Sequence, residues 1–395
     1  MALAEISCEI TSTYICEVAR QDWALAPEIV HLNHGSYGGC PRAVLAAAAG
    51  WRARLEAAPM RFMVLDWQAE LDRARAALAA FIGAPVDQLV FLPNATTAVA
   101  TALAAARLAT GDELLTTDLA YRACKNQLDR LADARGARVV VAELPWPFDP
   151  DAAVDAIARA VSPRTKLALL DHITSPTACV LPLPRILPHL RGVQVLVDGA
   201  HAPGQLALDV AALLAAGVTW YAGNNHKWLC APKGTGFLVT TTAVRPLVTS
   251  HGASPEYGPP NRLHAELDWM GTYDPAPHLA VPTAIQTVAD LGGGWPAVRA
   301  HNHALVLELR ARLGGSAVAP DDAIGSMAAY PIELPAGMTR TRLETTLLED
   351  GWEVPIVETR HGILVRVSAH LYNQASEADA LAAKLHALGV TPRPL

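Results

Sequence analysis

The stretch VTWYAGNNHKWLCAPKGTGFLVT, residues 218–240, decides how the rest of the chain is interpreted. It begins with an apolar run typical of a buried strand and ends in a glycine-rich run, and Lys227 lies between them, flanked by His226 and Trp228. A lysine amine has a pKa of about 10.4 in solution, so it acts as a nucleophile near neutral pH only when it is desolvated or placed near another positive charge. Its neighbours could provide both conditions, and a surface lysine beside a tryptophan is the simpler alternative.

A carboxylate upstream of this lysine favours the catalytic alternative. Residues 194–198 (QVLVD) form a short apolar run rich in β-branched residues, which predicts a buried parallel strand with Asp198 at its carboxyl end. Ligands of open α/β sheets bind at that end of the strands. Asp198, His201 and Lys227 together indicate one chemistry, in which the lysine forms an imine with pyridoxal 5'-phosphate and the carboxylate keeps the pyridine nitrogen protonated.

The chain alternates between predicted strands and predicted helices from residue 88 onwards. Strands are predicted at 88–92, 113–117, 138–142, 166–171, 194–198, 218–222 and 236–240, and helices at 121–135, 151–161 and 208–216 separate several of them. This alternation predicts an α/β fold with a mostly parallel, seven-stranded sheet and helices on both of its faces. Polar residues that follow the strands should then collect at one edge of the sheet and form one site: Asp118, Asp171, His172, Asp198 and Asn224.

Three regions are predicted along the chain. Residues 1–30 form an N-terminal arm, residues 31–283 a large cofactor-binding domain, and residues 284–395 a smaller α+β domain with strands at 326–332 and 362–368. Residues 249–282 are rich in Gly, Pro, His and Tyr and are predicted to be irregular. Loops of this length in a compact enzyme are usually functional or interfacial.

The composition excludes several classes of function. The net charge is -7 over 395 residues, and no basic cluster is dense enough to bind nucleic acid or an anionic membrane. The six cysteines are scattered without a Cys-x-x-Cys pair, which favours a reduced, cytoplasmic protein. Glu5 and Glu9 occupy the region where an export signal would be basic and then apolar, and no apolar run approaches the roughly 20 residues of a transmembrane helix.

Two loops upstream of the lysine are candidates for ligand contacts. Residues 31–41 (HLNHGSYGGCP) are dense in glycine, which lets backbone approach a ligand closely, although an ordinary turn before a helix explains the composition too. Its histidines, His31 and His34, lack a third metal ligand at a suitable spacing, so no metal site is predicted. Residues 93–100 (PNATTAVA) begin a helix whose N-terminus suits a phosphate, and capping by Thr96 or Thr97 is the alternative reason for those threonines.

Taken together in their order, nine motifs resemble one known family. They are LNHGSYG, PNATTAV, TTDLAY, DHITSPT, LVDGAHAPG, GNNHKWLCAPKGTGF, DWMGT, GSMAA and VRVSAHLYN. This series resembles the fold-type I, class V pyridoxal-phosphate enzymes and, within them, the isopenicillin N epimerase-like group. The resemblance covers nearly the whole chain and implies a large domain with a mostly parallel seven-stranded sheet, a smaller C-terminal α+β domain and a homodimer with shared active sites.

The resemblance also implies roles for individual residues. Lys227 is expected to be the Schiff-base lysine, Asp198 the partner of the pyridine nitrogen, and His201 a contact of the phenolic oxygen of the ring. The phosphate is expected to contact Asn94, Ala95, Thr96, Asn224 and His226, with Thr272 reaching it from a neighbouring subunit. The substrate is expected to contact Asn33, His34, Tyr37 and Arg366, the last clamping its α-carboxylate.

One position departs from the family pattern. After the second strand the family often has Asp-His-Ala-Tyr, whereas this chain has Asp118, Leu119, Ala120 and Tyr121. A leucine can neither stack on the cofactor ring as histidine does nor donate a hydrogen bond. Ring stacking is therefore assigned to Tyr121, and the change at Leu119 is consistent with a different substrate.

The reaction is expected at the Cα of an amino-acid substrate, through an external aldimine and a quinonoid, with Lys227 as the general base. Epimerisation is the leading hypothesis, in specialised metabolism such as antibiotic biosynthesis, with Tyr37 or His34 as the second proton donor. β-Elimination from a cysteine S-conjugate is the alternative, followed by transamination or decarboxylative deamination. A persulfide relay is not expected, because residues 351–366 contain no cysteine. A non-catalytic cofactor-binding regulator would need a nucleic-acid-binding module, which the sequence does not indicate.

Overall fold

The computed structural model describes residues 20–254 and 261–395. The acids at Glu5 and Glu9, and most of the arm predicted at residues 1–30, lie outside these ranges. Within them, no helix is both long and apolar enough to cross a membrane.

The centre of the molecule is a seven-stranded sheet, as the sequence predicts. In chain order its strands are β2 (Leu89–Leu92), β3 (Glu113–Thr117), β4 (Arg138–Ala142), β5 (Thr165–Asp171), β6 (Gln194–Asp198), β7 (Val218–Asn224) and β8 (Gly236–Thr240). Their spatial order is β2-β8-β7-β6-β5-β3-β4, and only β8 runs antiparallel to its two neighbours. The predicted α/β fold with a mostly parallel sheet is therefore confirmed.

The three helices predicted at 121–135, 151–161 and 208–216 are present among the helices of the described residues, each within two residues of those bounds. The helices of six residues or more are α1 (Arg42–Ala57), α2 (Trp67–Ile82), α3 (Ala95–Ala104), α4 (Arg122–Arg135), α5 (Pro150–Ala160), α6 (Val210–Ala215), α7 (Arg262–Leu267), α8 (Val281–Gly292), α9 (Trp295–Arg312), α10 (Arg340–Glu349) and α11 (Ser376–Ala387). Helix α7 lies in the segment predicted to be irregular, where Asn261 caps it through a hydrogen bond from the backbone N–H of Leu263.

Both faces of the sheet are buried. In β6, Val195 and Val197 pack into one hydrophobic cluster, whereas Leu196 packs into the cluster on the opposite face with Trp220. Successive side chains of a strand point to opposite faces, so a strand between two helical layers needs an apolar residue at every position. This requirement explains why the core strands read as continuous apolar runs in the sequence.

The C-terminal region forms its own antiparallel sheet. Its order is β11 (Ile356–Thr359), β12 (Gly362–Ser368), β9 (Met327–Glu333) and β13 (Thr391–Pro392). A separate parallel pair joins β1 (Val30–His31) to β10 (Trp352–Glu353), so the chain enters the large domain through a contact with the C-terminal region. The predicted boundary at residues 283 and 284 falls inside α8, and the domain limits stay a prediction.

A buried ion pair connects α2 to Asp268, the residue that directly follows α7. The side chains of Arg75 and Asp268 are 1% and 2% exposed, and Nη2 of the arginine lies 2.6 Å from Oδ2 of the aspartate. Arg75 also donates through Nη1 to the carbonyl oxygen of Leu89 in β2, at 2.9 Å. The pair therefore fixes α2 against the edge of the large sheet.

Replacing Asp268 by asparagine is expected to lower the free energy of unfolding by about 3–5 kcal/mol, because the buried guanidinium of Arg75 would lose its buried counterion and keep only the exposed Asp72, at 3.3 Å. Urea unfolding followed by circular dichroism measures this change. The matched control is Asp379→Asn, which removes the partner of Arg312 in a pair exposed on both sides. The control should change the urea midpoint very little. Equal shifts in the two variants would contradict the structural role of the buried pair.

Candidate active site

A cavity of about 530 Å³ opens at the carboxyl ends of β5, β6 and β7. Its volume lies within the range of small-molecule sites, roughly 300–1,000 Å³. Ten residues predicted for the site line it: Tyr37, Asn94, Ala95, Thr96, Tyr121, Asp198, His201, Asn224, His226 and Lys227. The structure therefore brings most of the predicted site together, from segments separated by up to 190 residues. The other four, Asn33, His34, Thr272 and Arg366, are not part of this lining.

Lys227 lies on the turn that follows β7 and is half-buried. Its Nζ is 3.1 Å from Nε2 of His201. Burial lowers the pKa of Lys227 to about 8, against the opposing effect of the nearby Asp198 carboxylate. More of this amine is uncharged near neutral pH than in a free lysine, whose pKa is about 10.4. Lys227 is therefore desolvated enough to have a lowered pKa, which is the condition for a lysine to act as a nucleophile near neutral pH.

The segment that carries this lysine, residues 225–235, is called the lysine loop below. Its ends are joined by a hydrogen bond from the backbone N–H of Asn225 to the carbonyl oxygen of Thr235, at 3.1 Å. Residues 31–41, the glycine loop, pass directly over it. A Cβ atom at Gly38 would lie 2.7 Å from the carbonyl oxygen of Lys227, so the close approach of the two loops requires glycine at this position.

Asp198 ends β6 and is 3% exposed. Its Oδ1 accepts a hydrogen bond from the backbone N–H of Ala200 at 3.0 Å, and its Oδ2 accepts one from Sγ of Cys124 at 3.1 Å. Burial and the adjacent carboxylate raise the pKa of Cys124, so the thiol keeps its proton and remains a donor. The two contacts fix the orientation of the carboxyl group, and a carboxylate at this position can pair with a protonated pyridine nitrogen.

A second carboxyl group, Asp171, lies beside Asp198. The two residues are register partners on the parallel strands β5 and β6, and both line the cavity. Burial, and then the charge of Asp198, raise the pKa of Asp171 well above its usual value. This shift favours the protonated form of Asp171. The sequence predicted that Asp171 and Asp198 lie at the same edge of the sheet, but it did not indicate that the two residues are direct partners on adjacent strands.

Two histidines of the cavity are neutral. Burial lowers the pKa of His201 well below its usual value, and Lys227 lowers it further. Burial also lowers the pKa of His226 to about 4. Nδ1 of His226 lies 2.8 Å from the carbonyl oxygen of Thr235, which makes this nitrogen the donor and leaves Nε2 as the acceptor. His201 can accept a hydrogen bond from the amine of Lys227.

The wall opposite the lysine is the N-terminus of α3. Asn94 caps this helix by accepting a hydrogen bond from the backbone N–H of Thr97 at 2.9 Å. The sequence predicts Thr96 or Thr97 as the cap, and the structure corrects that assignment. Asn94 is the residue that directly precedes the helix, and from that position a side-chain oxygen can accept from the N–H of the third helical residue. Asn224 accepts from the N–H of Ala95 at 2.8 Å and thereby joins β7 to this helix. The donors and the helix dipole suit a phosphate.

Arg366, from β12, is 3% exposed and lies behind the cavity wall. Its Nη2 donates to Oγ of Ser36 at 2.7 Å and to Oδ1 of Asn33 at 3.3 Å, and its Nη1 donates to the backbone and side chain of Ser175. Nε is buried without a partner among the described residues. Burial lowers the pKa of Arg366 to about 10, which still leaves the guanidinium charged at neutral pH. Its neighbours are all neutral, so the cation has no carboxylate of its own.

His34 lies outside the cavity, behind the lysine loop, although the sequence placed it among the substrate contacts. It is fully buried, its Nε2 donates to the carbonyl oxygen of Lys227 at 3.1 Å, and its Nδ1 accepts from the hydroxyl of Tyr372 at 2.7 Å. Burial lowers its pKa well below the usual value, and His370 lowers it further. These contacts make His34 a positioning residue for the lysine loop in this structure.

His34 also belongs to a buried cluster with Cys230 and His370, in which Sγ is 3.5 Å from Nε2 of each histidine. Three such groups can bind zinc. Here, however, the two imidazole rings stack at 4.3 Å with only 22° between their planes. A metal lies in the plane of each imidazole that binds it, and two stacked rings cannot share one such point. The cluster is therefore a hydrogen-bonded network that supports the lysine loop.

Three further predicted residues lie at the entrance or beyond it. Tyr37 and Tyr121 line the cavity and are 73% and 44% exposed, so both rings stand at its mouth. Thr272 is exposed and does not line the cavity of its own chain. Its predicted contact with a neighbouring subunit stays a prediction.

A mostly parallel sheet with a half-buried lysine, a buried aspartate and a helix N-terminus at the strand ends defines a class of protein, the fold-type I enzymes that depend on pyridoxal phosphate. The residues fit this cofactor, because the lysine amine, the Asp198 carboxylate and the α3 donors converge on one cavity. Residues 39–315 match the family described as aminotransferase class-V. The chain belongs to that family, and it is a pyridoxal-phosphate-dependent enzyme.

Similar proteins of known name fall into two groups. Isopenicillin N epimerases from Amycolatopsis lactamdurans and Streptomyces clavuligerus are 36% and 35% identical to this chain, and each match covers 94% of it and 98% of the relative. A putative L-cysteine desulfhydrase from Oryza sativa subsp. japonica is 33% identical over 90% of this chain and 76% of the relative. The expected resemblance to the epimerase-like group is confirmed.

A solved structure shows the same fold at lower sequence identity. The cystine C-S lyase C-DES in complex with cysteine persulfide has a TM-score of 0.79 and 22% identity, and the match covers 91% of this chain and 97% of that one. A mutant of the same lyase, which carries glycine covalently linked to the PLP cofactor, also has a TM-score of 0.79. These matches support the fold-type I architecture and do not by themselves identify the reaction.

Proposed function

We propose that this enzyme epimerises an amino-acid substrate at Cα, and that β-elimination from a cysteine S-conjugate is the second candidate. The observation that carries the proposal is that the half-buried amine of Lys227, with its lowered pKa, and the carboxyl group of Asp198 line one cavity. The relatives named isopenicillin N epimerase, which match over 94% of the chain, favour epimerisation and a place in specialised metabolism such as antibiotic biosynthesis. The desulfhydrase relative favours elimination.

The guanidinium of Arg366 is the proposed site for the substrate α-carboxylate. It is a buried cation whose partners, Asn33, Ser36 and Ser175, are neutral, and a carboxylate can accept two parallel hydrogen bonds from it. Ser36 and Ser175 line the cavity, so a carboxylate held there would reach the guanidinium from the cavity side. This placement fixes one end of the amino acid and leaves Cα free to face Lys227.

Lys227 is the proposed general base. Bound pyridoxal phosphate withdraws electrons from a substrate amino acid and makes its Cα–H acidic. The uncharged amine of Lys227 removes that proton, and the neutral imidazole of His201, 3.1 Å away, orients the amine. Asp198 would hold the ring nitrogen protonated, and Asn94, Ala95, Thr96, Asn224 and His226 would hold the phosphate.

Epimerisation also needs a proton donor on the opposite face of Cα. His34 is buried behind the lysine loop, so Tyr37 is the better candidate of the two named from the sequence. Tyr37 lines the cavity, and its hydroxyl makes no hydrogen bond with the described residues. A phenol that is free to rotate at the mouth can approach Cα from the side opposite to the lysine. Tyr121 is retained as the residue that stacks on the cofactor ring.

A homodimer with shared sites is part of the same proposal. Thr272 lies on a segment that packs against the two helices flanking residues 59–66, through Asp274 with Arg52 of α1 and Trp269 on Trp67 of α2. Within residues 59–66, Met60, Val64 and Leu65 are 79%, 66% and 65% exposed. A second copy covering this apolar surface would bring Thr272 close to the partner's phosphate site. The buried thiols Cys40, Cys124, Cys179 and Cys230 support the proposed cytoplasmic location.

Incubation with a panel of L-amino acids and cysteine S-conjugates in deuterated water tests the proposed function. Recovery of the amino acid with deuterium at Cα and with both configurations present is the result expected for epimerisation. Release of pyruvate and a thiol without recovered deuterated substrate would identify elimination instead. Formation of a 2-oxo acid from the whole carbon skeleton would indicate transamination and would overturn both candidates.

A further inference from the structure

A second cavity, of about 600 Å³, lies beside the active site and has no role in the chemistry described above. It is formed between the glycine loop, residues 24 and 25, and the C-terminal region around α10 and β10. Tyr37 and Lys233 line both cavities, so these two side chains form the boundary between them.

The second cavity begins at the proposed carboxylate site. Asn33, which accepts a hydrogen bond from Arg366, lines the second cavity, whereas Ser36, which accepts from the same guanidinium, lines the first. An amino acid held at Arg366 therefore lies at the junction of the two spaces. Its Cα must stay in the cavity of Lys227, so the second cavity is the space left for its side chain.

The boundary between the cavities can open. The ring of Tyr37 is 73% exposed, and its hydroxyl has no hydrogen-bond partner in the described part of the chain. Rotation of this side chain costs no hydrogen bond. The neighbouring backbone is held by Gly38, whose carbonyl oxygen accepts from Nζ of Lys233 at 2.6 Å.

The charges of the second cavity are paired at all but one position. Glu353 forms a hydrogen bond with His31, and Glu344 forms a salt bridge with Arg340 at 2.8 Å. Lys233 has only the neutral carbonyl oxygen of Gly38 as a partner, and the described residues place no carboxylate within 4 Å of its amine. The charge of Lys233 lowers the pKa of Glu353 in the same cavity, but no salt bridge within the described residues occupies its amine, which can therefore bind an anion at closer range.

The remaining wall is apolar. Leu25, Leu45, Leu348 and Val354 line the cavity, and the two leucines at 45 and 348 are 40% and 53% exposed in the empty space. Methylene groups that cover these side chains would remove apolar surface from water. A chain of methylenes can pack against this wall, and a carboxylate on that chain can form an ion pair with Lys233.

We propose that the second cavity binds the substrate side chain, and that it selects amino acids with a side chain of several methylenes carrying a carboxylate that pairs with Lys233. This inference rests on the proposed Cα chemistry and names the substrate class for that same site. An enzyme that acts on cysteine would not need this cavity, because a side chain as short as that of cysteine would not reach beyond the boundary formed by Tyr37 and Lys233.

The test compares three amino acids on the holoenzyme: L-alanine, L-2-aminoheptanoate and L-2-aminoheptanedioate, the last two differing only in a terminal methyl or carboxylate. kcat and KM are measured for exchange of the Cα hydrogen in deuterated water. The diacid is expected to exceed the monoacid in kcat/KM by at least about tenfold, which is the lower end of a hydrogen bond to a charged group. The difference should lie in KM. Equal values for the two acids would overturn the selection by Lys233.

Variants separate the two parts of the proposal. Lys233→Met should abolish the preference for the diacid over the monoacid, and Lys233→Gln, which keeps a donor to Gly38, should do so as well. Leu348→Trp fills the cavity and should raise KM for both long amino acids relative to alanine. Leu247→Trp, at a leucine of similar exposure outside both cavities, is the matched control and should leave these ratios unchanged.

Different results of these experiments would overturn the side-chain subsite and the proposed function. If alanine exchanges its Cα hydrogen but Leu348→Trp leaves the ratios between the three amino acids unchanged, the second cavity is not the side-chain subsite. If none of the three amino acids exchanges, alanine included, the proposed Cα chemistry itself is overturned.

Discussion

Replacing Lys227 by alanine is expected to lower the rate of Cα hydrogen exchange by at least about 10²–10⁴-fold, the usual contribution of a positioned acid or base. The variant should also bind the cofactor without a covalent bond, so that borohydride fixes no cofactor onto the peptide that contains position 227. Mass spectrometry of the reduced, digested protein measures this. Lys166→Ala is the control, because that lysine is exposed and donates to the carbonyl oxygen of Pro163 outside the cavity.

The pH dependence of the same covalent step tests why Lys227 reacts. Burial lowers its pKa to about 8, and only the uncharged amine attacks the cofactor aldehyde. The rate at which apoenzyme is labelled at Lys227 should therefore rise with pH and level off just above pH 8. A rate that keeps rising towards pH 10, as for a free lysine, would show that the amine is not desolvated. Retention of exchange activity in Lys227→Ala would remove the proposed base altogether.

The central sheet could be predicted because each strand carries its own signal. Strands β5 to β7 are buried on both faces, so they read as unbroken apolar runs, and each ends in a polar residue such as Asp171 or Asp198. The cap of α3 was placed on a threonine, because Asn94 and the two following threonines are all competent caps in sequence. Only the structure shows which side chain accepts from Thr97.

The surroundings of the site could not be predicted, because they depend on contacts between distant segments. Cys124 is 74 residues from Asp198 and reaches it only because α4 begins above the end of β6. His34 belongs to the glycine loop, yet its side chain points away from the cavity. Gly38 lets the glycine loop pack closely against the lysine loop, and this packing buries the imidazole of His34. Residue type indicates what a side chain can do, but the direction in which it points depends on tertiary packing.

The two carboxyl groups at the ends of β5 and β6 give the second prediction. Asp198→Asn is expected to lower kcat for exchange by about 30- to 4,000-fold, which corresponds to the 2–5 kcal/mol lost when a buried charge loses its partner. The neutral amide cannot keep the pyridine nitrogen protonated, so the proton on Cα becomes less acidic. The absorbance of the bound cofactor should then titrate at a different pH, which provides a readout independent of turnover.

Asp171→Asn is the matched control on the adjacent strand. Burial and the charge of Asp198 raise the pKa of Asp171 well above its usual value, which favours a protonated carboxyl group that asparagine resembles in charge and shape. This variant is expected to keep kcat within a few-fold and to leave the cofactor absorbance unchanged. If Asp171→Asn instead loses as much activity as Asp198→Asn, the negative charge is shared between the two residues, and Asp198 alone is not the partner of the pyridine nitrogen.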